Sequence, residues 1–95
     1  MTFDVILLSR AEIELEDAFL WYESKSKELG IKFMNSFRSE VKRIGSNPFQ
    51  FMRSQDHFRE VAVNFFPYVL IYSVFNDKVY IHSIFNTSRN PNKKP

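Results

Sequence analysis

The chain has 95 residues, no cysteine and a formal net charge of +2, and 17% of its residues are aromatic. This length predicts a single domain over residues 1–95. The absence of cysteine excludes disulfide bonds and thiolate metal sites. No apolar run approaches the length of a signal-peptide core or a membrane span, so we expect a cytoplasmic protein.

The charges are unevenly distributed along the chain. Residues 1–30 carry seven acidic and three basic side chains, a net charge of −4, whereas residues 31–95 carry ten basic and four acidic ones, a net charge of +6. Such a separation indicates a polar partner on the basic side. A solvated surface with uneven charge is the other interpretation of the same counts.

The first part of the chain predicts a strand and a helix. Residues 3–8 are short, apolar and rich in β-prone side chains, which favours a strand. Ser9 and Glu12 have the spacing of a capping box that starts a helix. The helix is expected to end near Gly30, which can adopt the left-handed conformation after a last turn. Its apolar stripe consists of Ala11, Leu15, Ala18 and Tyr22, widened by Ile13, Leu20 and Trp21.

A second helix is predicted almost immediately afterwards, which makes the pair a helical hairpin. Gly45 and Pro48 end this helix, and residues 46–56 have no clear period and are expected to form a loop. The helical spacing of the second helix is carried by Phe33, Phe37, Val41 and Ile44.

Three strands are predicted next. Residues 59–65 alternate, with Val61, Val63 and Phe65 on one face, and Pro67 interrupts the pattern because it has no amide to donate. Residues 68–75 form a strongly apolar strand. Asn76 and Asp77 fit a two-residue hairpin turn into the returning strand, residues 78–85. The connections are too short for crossovers, so the three strands form an antiparallel meander.

The order β-α-α-β-β-β predicts an α+β fold in which a helical hairpin packs on one face of an antiparallel sheet. The tail from about residue 87 to residue 95 is polar and basic, and we expect it to be mobile.

An ordered set of short features resembles the RelE/ParE superfamily of toxins from bacterial type II toxin–antitoxin systems, in particular its ParE-like, plasmid-stabilisation members. The features extend from residue 3 to residue 91. They are Ala11 and Trp21-Tyr22-Glu23, Leu29-Gly30 before Phe33, Asn47-Pro48, Arg59 leading to Phe66-Pro67-Tyr68 and Ile71-Tyr72, then Ile81, Ile84 and Arg89-Asn90-Pro91. The form that the resemblance implies, a helical hairpin on an antiparallel sheet, agrees with the predicted order.

The resemblance implies one of two activities. RelE-like toxins cut mRNA in the ribosomal A site, and ParE-like toxins inhibit DNA gyrase. RelE-like toxins typically carry an arginine where this chain has Val69, directly after Tyr68. Because a valine can neither bind a phosphate nor move a proton, Val69 favours a ParE-like toxin that binds a protein target. A ribosome-dependent endoribonuclease and a degenerate, non-toxic family member remain alternatives.

RNA cleavage without a metal would need groups that transfer protons and cations that stabilise the phosphorane. By resemblance, Arg89 matches the catalytic arginine just past the last strand of RelE-like toxins. Arg59 begins the second strand, and His82 can act as an acid or base near neutral pH. Each also has a structural interpretation: Arg59 as an edge-strand or ion-pair residue, His82 as an ordinary strand residue, and Arg89 as part of a solvated basic tail.

Neither a metal nor a cofactor is expected. The two histidines, His57 and His82, are isolated from each other in the sequence, and with no cysteine they form no ligand cluster. The chain has only two glycines and therefore no glycine-rich phosphate loop.

The resemblance also implies a cognate antitoxin whose disordered C-terminal segment wraps the toxin in a hetero-oligomer. The apolar sheet edge and the groove of the helical hairpin are the expected docking surfaces, and an acidic antitoxin segment would suit the basic strands. The candidate residues for binding the target or the antitoxin are Arg53, Arg59, Tyr68 and Arg89.

Overall fold

The computed structural model describes residues 2–53 and 57–88. Its elements follow the predicted order and confirm the α+β class. They are β1 (Asp4–Leu7), α1 (Ser9–Lys25), α2 (Lys27–Ser46), a 3-10 helix (Pro48–Gln50), β2 (Arg59–Ala62), β3 (Tyr68–Phe75) and β4 (Lys78–Asn86).

The strands form one sheet in the order β1-β4-β3-β2. The last three strands are an antiparallel meander, as predicted. The sheet as a whole is mixed, because β1 pairs with β4 in parallel, with Leu7 opposite Ile81. A parallel pair needs a long crossover connection, and the helical hairpin between β1 and the meander provides it. The sequence did not predict the partner of β1, and the structure shows that β1 joins the antiparallel meander as a parallel fourth strand.

The break between the helices lies earlier than predicted. Helix α1 ends at Lys25, and Ser26, in an extended conformation, separates it from α2. Gly30 is a buried residue inside α2 and not the end of α1. A Cβ added to Gly30 would lie 3.2 Å from the Cβ of Glu23 and 3.3 Å from the Phe19 ring. The glycine therefore allows the two helices to approach closely at this point without a tight side-chain contact.

Two helix ends also differ from the predictions. Leu8 is the N-cap of α1, and it makes no side-chain capping bond, so the predicted capping box of Ser9 and Glu12 is not formed. The Glu12 amide instead donates to the Leu8 carbonyl. Gly45 lies within α2, and the following segment contains the 3-10 helix, whose first turn is held by the Phe49 amide donating to the Asn47 side chain.

The predicted strand over residues 59–65 is shorter in the structure and ends at Ala62. The Phe66 amide bonds to the Val63 carbonyl in a tight turn, and Phe65 has a φ of 72°. Phe65 is 82% exposed, so it does not share the buried face of Val61 and Val63. The predicted hairpin turn at Asn76 is confirmed, and Asn76 has a positive φ of 57°.

Both helices pack against one face of the sheet. Four aromatic rings form a cluster in this core: Tyr22 of α1 and Phe33 of α2 pack against Phe66 and Tyr68. The contacting ring centroids are 4.9 to 6.2 Å apart. Burying one such side chain stabilises a fold by roughly 1.5–3 kcal/mol.

Three apolar residues of α1 that were expected to widen the buried stripe lie on the surface instead: Ile13, Leu20 and Trp21. No helix of the described residues is long and apolar enough to cross a membrane.

Candidate functional site

Arg59 and Tyr72, neighbours on β2 and β3, fix the segment that contains the 3-10 helix. The Arg59 Nη1 donates to the Phe51 carbonyl at 2.7 Å, and its guanidinium lies 5.3 Å from the centre of the Phe49 ring. The Tyr72 hydroxyl donates to the Pro48 carbonyl. Burial raises the pKa of Tyr72 to about 12, although the charge of Arg59 opposes the rise. Tyr72 is therefore a neutral hydrogen-bond donor at physiological pH.

His82 lies at a β-bulge in β4, where the register against β3 shifts. A 2.7 Å hydrogen bond joins its Nε2 to the Ser73 Oγ. Phe58 contacts the His82 ring edge-on, and His57 stacks on Phe58. Burial, and to a smaller extent the nearby His57, lower the pKa of His82 below its usual value. His82 is consequently a neutral residue of a small cluster on the face of the sheet that the helices leave uncovered.

The two described catalytic candidates lie on opposite faces of the sheet. Arg59 is paired with Tyr72, which belongs to the buried core on the helical face. His82 bonds to Ser73, the next residue of β3, and successive residues of a strand point to opposite faces. The sheet thus separates the cation from the proton-transfer group that RNA cleavage would require together.

The other predicted site residues have different settings. Arg53 is exposed and forms an isolated β-bridge with Arg59. Tyr68 is buried in the aromatic core, and its hydroxyl accepts a long hydrogen bond of 3.4 Å from the Asn86 side chain. Val69 is half-buried in β3, between Ala62 of β2 and Phe85 of β4. Arg89 and the rest of the predicted mobile tail beyond Ser88 lie outside the described residues.

The basic charges of the described strands have internal partners. Strands β2, β3 and β4 contain two basic residues, Arg59 and Lys78. Arg59 is bonded to the Phe51 carbonyl, and Lys78 forms a 3.3 Å ion pair with Asp4, which contributes to raising the pKa of Lys78. The strands therefore offer less positive charge to an acidic partner segment than the sequence indicated.

A surface groove of about 670 Å³ lies between α1 and the end of the sheet formed by the start of β3 and the end of β4. We call it the α1–β4 groove. The wall on α1 repeats at helical spacing, since Arg10, Glu14, Asp17 and Trp21 project from one side of the helix. The complete lining consists of Arg10, Glu14, Asp17, Ala18, Trp21, Tyr22, Pro67, Tyr68, Ile84, Phe85, Asn86 and Ser88.

Glu14 connects α1 to β4 within this groove. Its Oε1 accepts from the Ser83 hydroxyl at 2.8 Å and from the Ile84 amide at 2.9 Å. Its Oε2 accepts a hydrogen bond from the Arg10 Nε at 3.3 Å, which makes the two side chains an ion pair. The carboxylate thus takes the place that a carbonyl of a neighbouring strand would have beside Ile84.

Of the sequence-based candidates that the structure describes, Tyr68 lines this groove, whereas Arg53, Arg59 and His82 do not. The spacing of Arg10, Glu14, Asp17 and Trp21 marks one side of a helix, but periodicity alone does not show that the end of β4 faces it. Trp21, which the sequence assigned to the core with Tyr22, is 55% exposed, and Lys25 lies 5.0 Å from the centre of its ring.

No group of three or more histidine, aspartate or glutamate side chains that could hold a metal ion occurs within residues 2–53 and 57–88.

The fold is similar to that of a chain in a solved structure described as "Chromosomal ParDE TA system from P. aeruginosa". The TM-score is 0.77, the sequences are 15% identical, and the match covers 90% of this chain and 96% of that chain. At this identity the likeness shows a common fold. No protein-family model matches the sequence, and no curated protein matches it.

Proposed function

We propose that this chain is the toxin of a type II toxin–antitoxin pair, of the ParE-like kind. In this proposal it arrests growth by binding a protein target such as DNA gyrase, and a cognate antitoxin neutralises it in the cytoplasm. The observation that carries the proposal is the fold shared with the ParDE chain across nearly the full length of both chains.

The geometry of the sheet favours protein binding over RNA cleavage. A metal-independent nuclease needs a base, an acid and cations around one phosphate. Here Arg59 and His82 project from opposite faces, and Arg59 is engaged by backbone carbonyls. At the position where RelE-like toxins carry an arginine, Val69 supports the same conclusion.

The ParDE description of the similar structure supports the proposal of an antitoxin partner. A disordered segment that folds on a toxin can cover a large surface at moderate affinity, and it can be removed when the toxin is released. The exposed apolar side chains of α1, Ile13 and Leu20, give such a segment apolar area to cover.

The test is a supercoiling assay with purified gyrase, relaxed plasmid and the purified full chain. We expect the chain to inhibit gyrase in a dose-dependent way and the co-purified antitoxin to reverse the inhibition. Relaxation by a type I topoisomerase in the same buffer is the control, and it should be unaffected because that enzyme is not the target.

A parallel experiment expresses the chain in bacteria without an antitoxin and maps the 5′ ends of cellular mRNA. Unchanged mRNA together with altered plasmid supercoiling is the expected result. Cuts at codon boundaries that disappear in a His82→Gln variant would show a ribosome-dependent nuclease instead. Normal growth with an expressed, folded chain would show a non-toxic family member.

A further inference from the structure

Among residues 2–53 and 57–88, no strand covers the edge of β4 beside α1 beyond the end of β1, and we call this the open edge of β4. Strand β1 ends at Leu7, opposite Ile81, and the Leu8 amide just after it donates to the Ile81 carbonyl. Strand β4 continues to Asn86. Within the described residues, no strand lies beside the remaining part of β4, and the α1–β4 groove occupies that place.

The backbone groups at this edge point into the groove. The Tyr68 carbonyl accepts from the Val63 amide, on the side of β2, so Tyr68 does not exchange backbone bonds with its partner Asn86. In an antiparallel pair the groups of such a residue point away from the neighbouring strand. The same alternation applies to Ile84, whose amide reaches Glu14. By this alternation the Ile84 carbonyl and the Asn86 amide point away from β3, toward the groove.

We propose that the α1–β4 groove binds an extended, cationic segment of a partner protein, which adds a strand to the open edge of β4. The inference goes beyond the proposed function, because it does not require the chain to be toxic. Strand addition gives affinity through backbone hydrogen bonds, and the side chains that alternate along the segment give specificity.

The acidic wall of the groove determines the charge of the segment. Helix α1 contains five carboxylates and two basic residues. The basic residue in the groove, Arg10, is paired with Glu14, whereas Asp17 has no partner among the described residues. Trp21 lies one turn beyond Asp17, and a lysine or arginine that reaches Asp17 can also contact the exposed indole ring.

The apolar lining of the groove lies on the same side of the sheet as Asp17 and Trp21. Ala18 is buried, and Pro67 and Ile84 line the groove with it. Side chains of successive residues in a strand point to opposite sides. A segment that alternates basic and β-branched residues therefore presents its basic residues to the α1 side, where their aliphatic stems can pack on this lining and their charges can reach Asp17 and Trp21. Its β-branched residues point to the uncovered face of the sheet.

The experiment uses the full chain labelled with ¹⁵N and a probe peptide of alternating lysine and valine. We expect saturable shifts of the Ile84 and Asn86 amide signals. A peptide of alternating glutamate and valine is the matched probe, and the lysine peptide should bind about tenfold more tightly because its charge is complementary. In Asp17→Asn this preference should fall, whereas Glu16→Gln, on the same helix but outside the groove lining, should keep it.

Strand addition is tested separately from charge. The lysine peptide with all of its backbone amides N-methylated keeps its cations but cannot donate to the Ile84 carbonyl, and we expect its binding to the chain to be lost. Equal binding of the methylated peptide would overturn strand addition, and equal binding of the glutamate peptide would overturn the cationic preference.

Occupation of the groove by this chain's own basic C-terminal residues is the remaining outcome. The triple variant R89Q/K93Q/K94Q distinguishes it. If the lysine peptide binds that variant but not the native chain, the groove belongs to the chain's own terminus and the proposal is wrong. Because both measurements use only the chain and peptides, either failure leaves the proposed toxin function untouched.

Discussion

Arg59 and Tyr72 show how polar side chains in this molecule stabilise a segment that has little regular structure. Both reach backbone carbonyls of the segment over residues 48–51, one through a guanidinium and the other through a buried hydroxyl. Loops whose carbonyls would otherwise be buried without partners need such donors. The polar atoms of these two residues thus hold the 3-10 helix against the sheet.

The substitution Tyr72→Phe tests this role. It leaves the Pro48 carbonyl without its buried donor and keeps the ring, so the free energy of unfolding should fall by about 1–2 kcal/mol. The measurement is urea unfolding followed by far-UV circular dichroism. Tyr80→Phe is the matched control, since Tyr80 is half-buried in the neighbouring strand, and it should change the free energy by less than about 0.5 kcal/mol. Equal effects of the two variants would contradict the role of the Tyr72 hydroxyl.

His82 makes the stability depend on pH. Its pKa is lowered in the folded chain, so between the folded and the unfolded pKa the unfolded chain binds more protons. Stability from this residue is complete above the unfolded pKa of about 6.5 and is lost as the pH falls toward the lower folded value. His82→Gln, which can still bond to Ser73, should therefore show a smaller loss of stability between about pH 7.5 and about pH 5.5 than the native chain.

Urea unfolding at the two pH values measures this difference. His57→Gln is the control, because His57 is exposed and lowers the His82 pKa only as the smaller of two causes. His57→Gln should reproduce only a small part of the change that His82→Gln makes in the pH dependence of stability. A native chain whose stability is the same at both pH values, or a His82→Gln variant that loses as much as the native chain, would show that His82 is not the source.

At the scale of elements, the close packing of the helical hairpin depends on one glycine. Gly30 in α2 lies against Glu23 and Phe19 of α1, and an added Cβ would be within 3.2–3.3 Å of them. Gly45, near the end of the same helix, would place a Cβ 3.4 Å from the Phe3 carbonyl and Val5, an ordinary contact. The two positions are therefore a matched pair for separating helix propensity from packing.

Alanine at each glycine should have opposite effects. Gly45→Ala should stabilise the chain by about 0.5–1 kcal/mol, because alanine is the better helix former and its methyl group fits. Gly30→Ala has the same gain in propensity but must push the backbone of α1 away, and we expect a net destabilisation of about 1–2 kcal/mol. Thermal unfolding of both variants measures the difference. A stabilised Gly30→Ala variant would show that α1 shifts without cost.

At the scale of the whole molecule, one hydrophobic cluster connects both helices to β2, β3 and β4. Helix α1 also contributes Glu14 to the end of β4, so the hairpin and the sheet share polar contacts as well as apolar ones. Chains of this length with one such core unfold in a single cooperative step. One domain over residues 1–95 stays a prediction, and the cooperativity of unfolding tests it.

Cooperative unfolding is testable with two probes. The fluorescence of Trp21 reports on α1, and far-UV circular dichroism reports on all helices and strands together. We expect the two transitions in urea to coincide, with a slope of about 1–3 kcal/mol per molar urea. Separate midpoints would show that the helical hairpin and the sheet unfold as independent units.

The sequence alone was sufficient for the order of the elements and for the meander. The apolar strands on either side of the Asn76 turn and the helical spacing of Phe33 and Phe37 depend on local geometry, which residue patterns report directly. The resemblance to RelE/ParE toxins used the same local features. The end of α1 was predicted at the wrong residue, because the chain breaks at Ser26, in an extended conformation, and not at a glycine cap. Gly30 lies inside α2, where it packs against α1.

Tertiary structure alone decided which side chains meet. Periodicity assigns a residue to a face but does not say what lies opposite that face, so Arg59 and His82 could be considered one site until the sheet placed them on opposite sides. The parallel pairing of β1 with β4 and the end of β1 at Leu7 also depend on contacts between residues far apart in the sequence. In the described part of the chain they leave the end of β4 without a neighbouring strand and bring it beside Glu14 and Asp17. Glu14 and Ile84 are 70 positions apart in the sequence, and no local pattern encodes their contact.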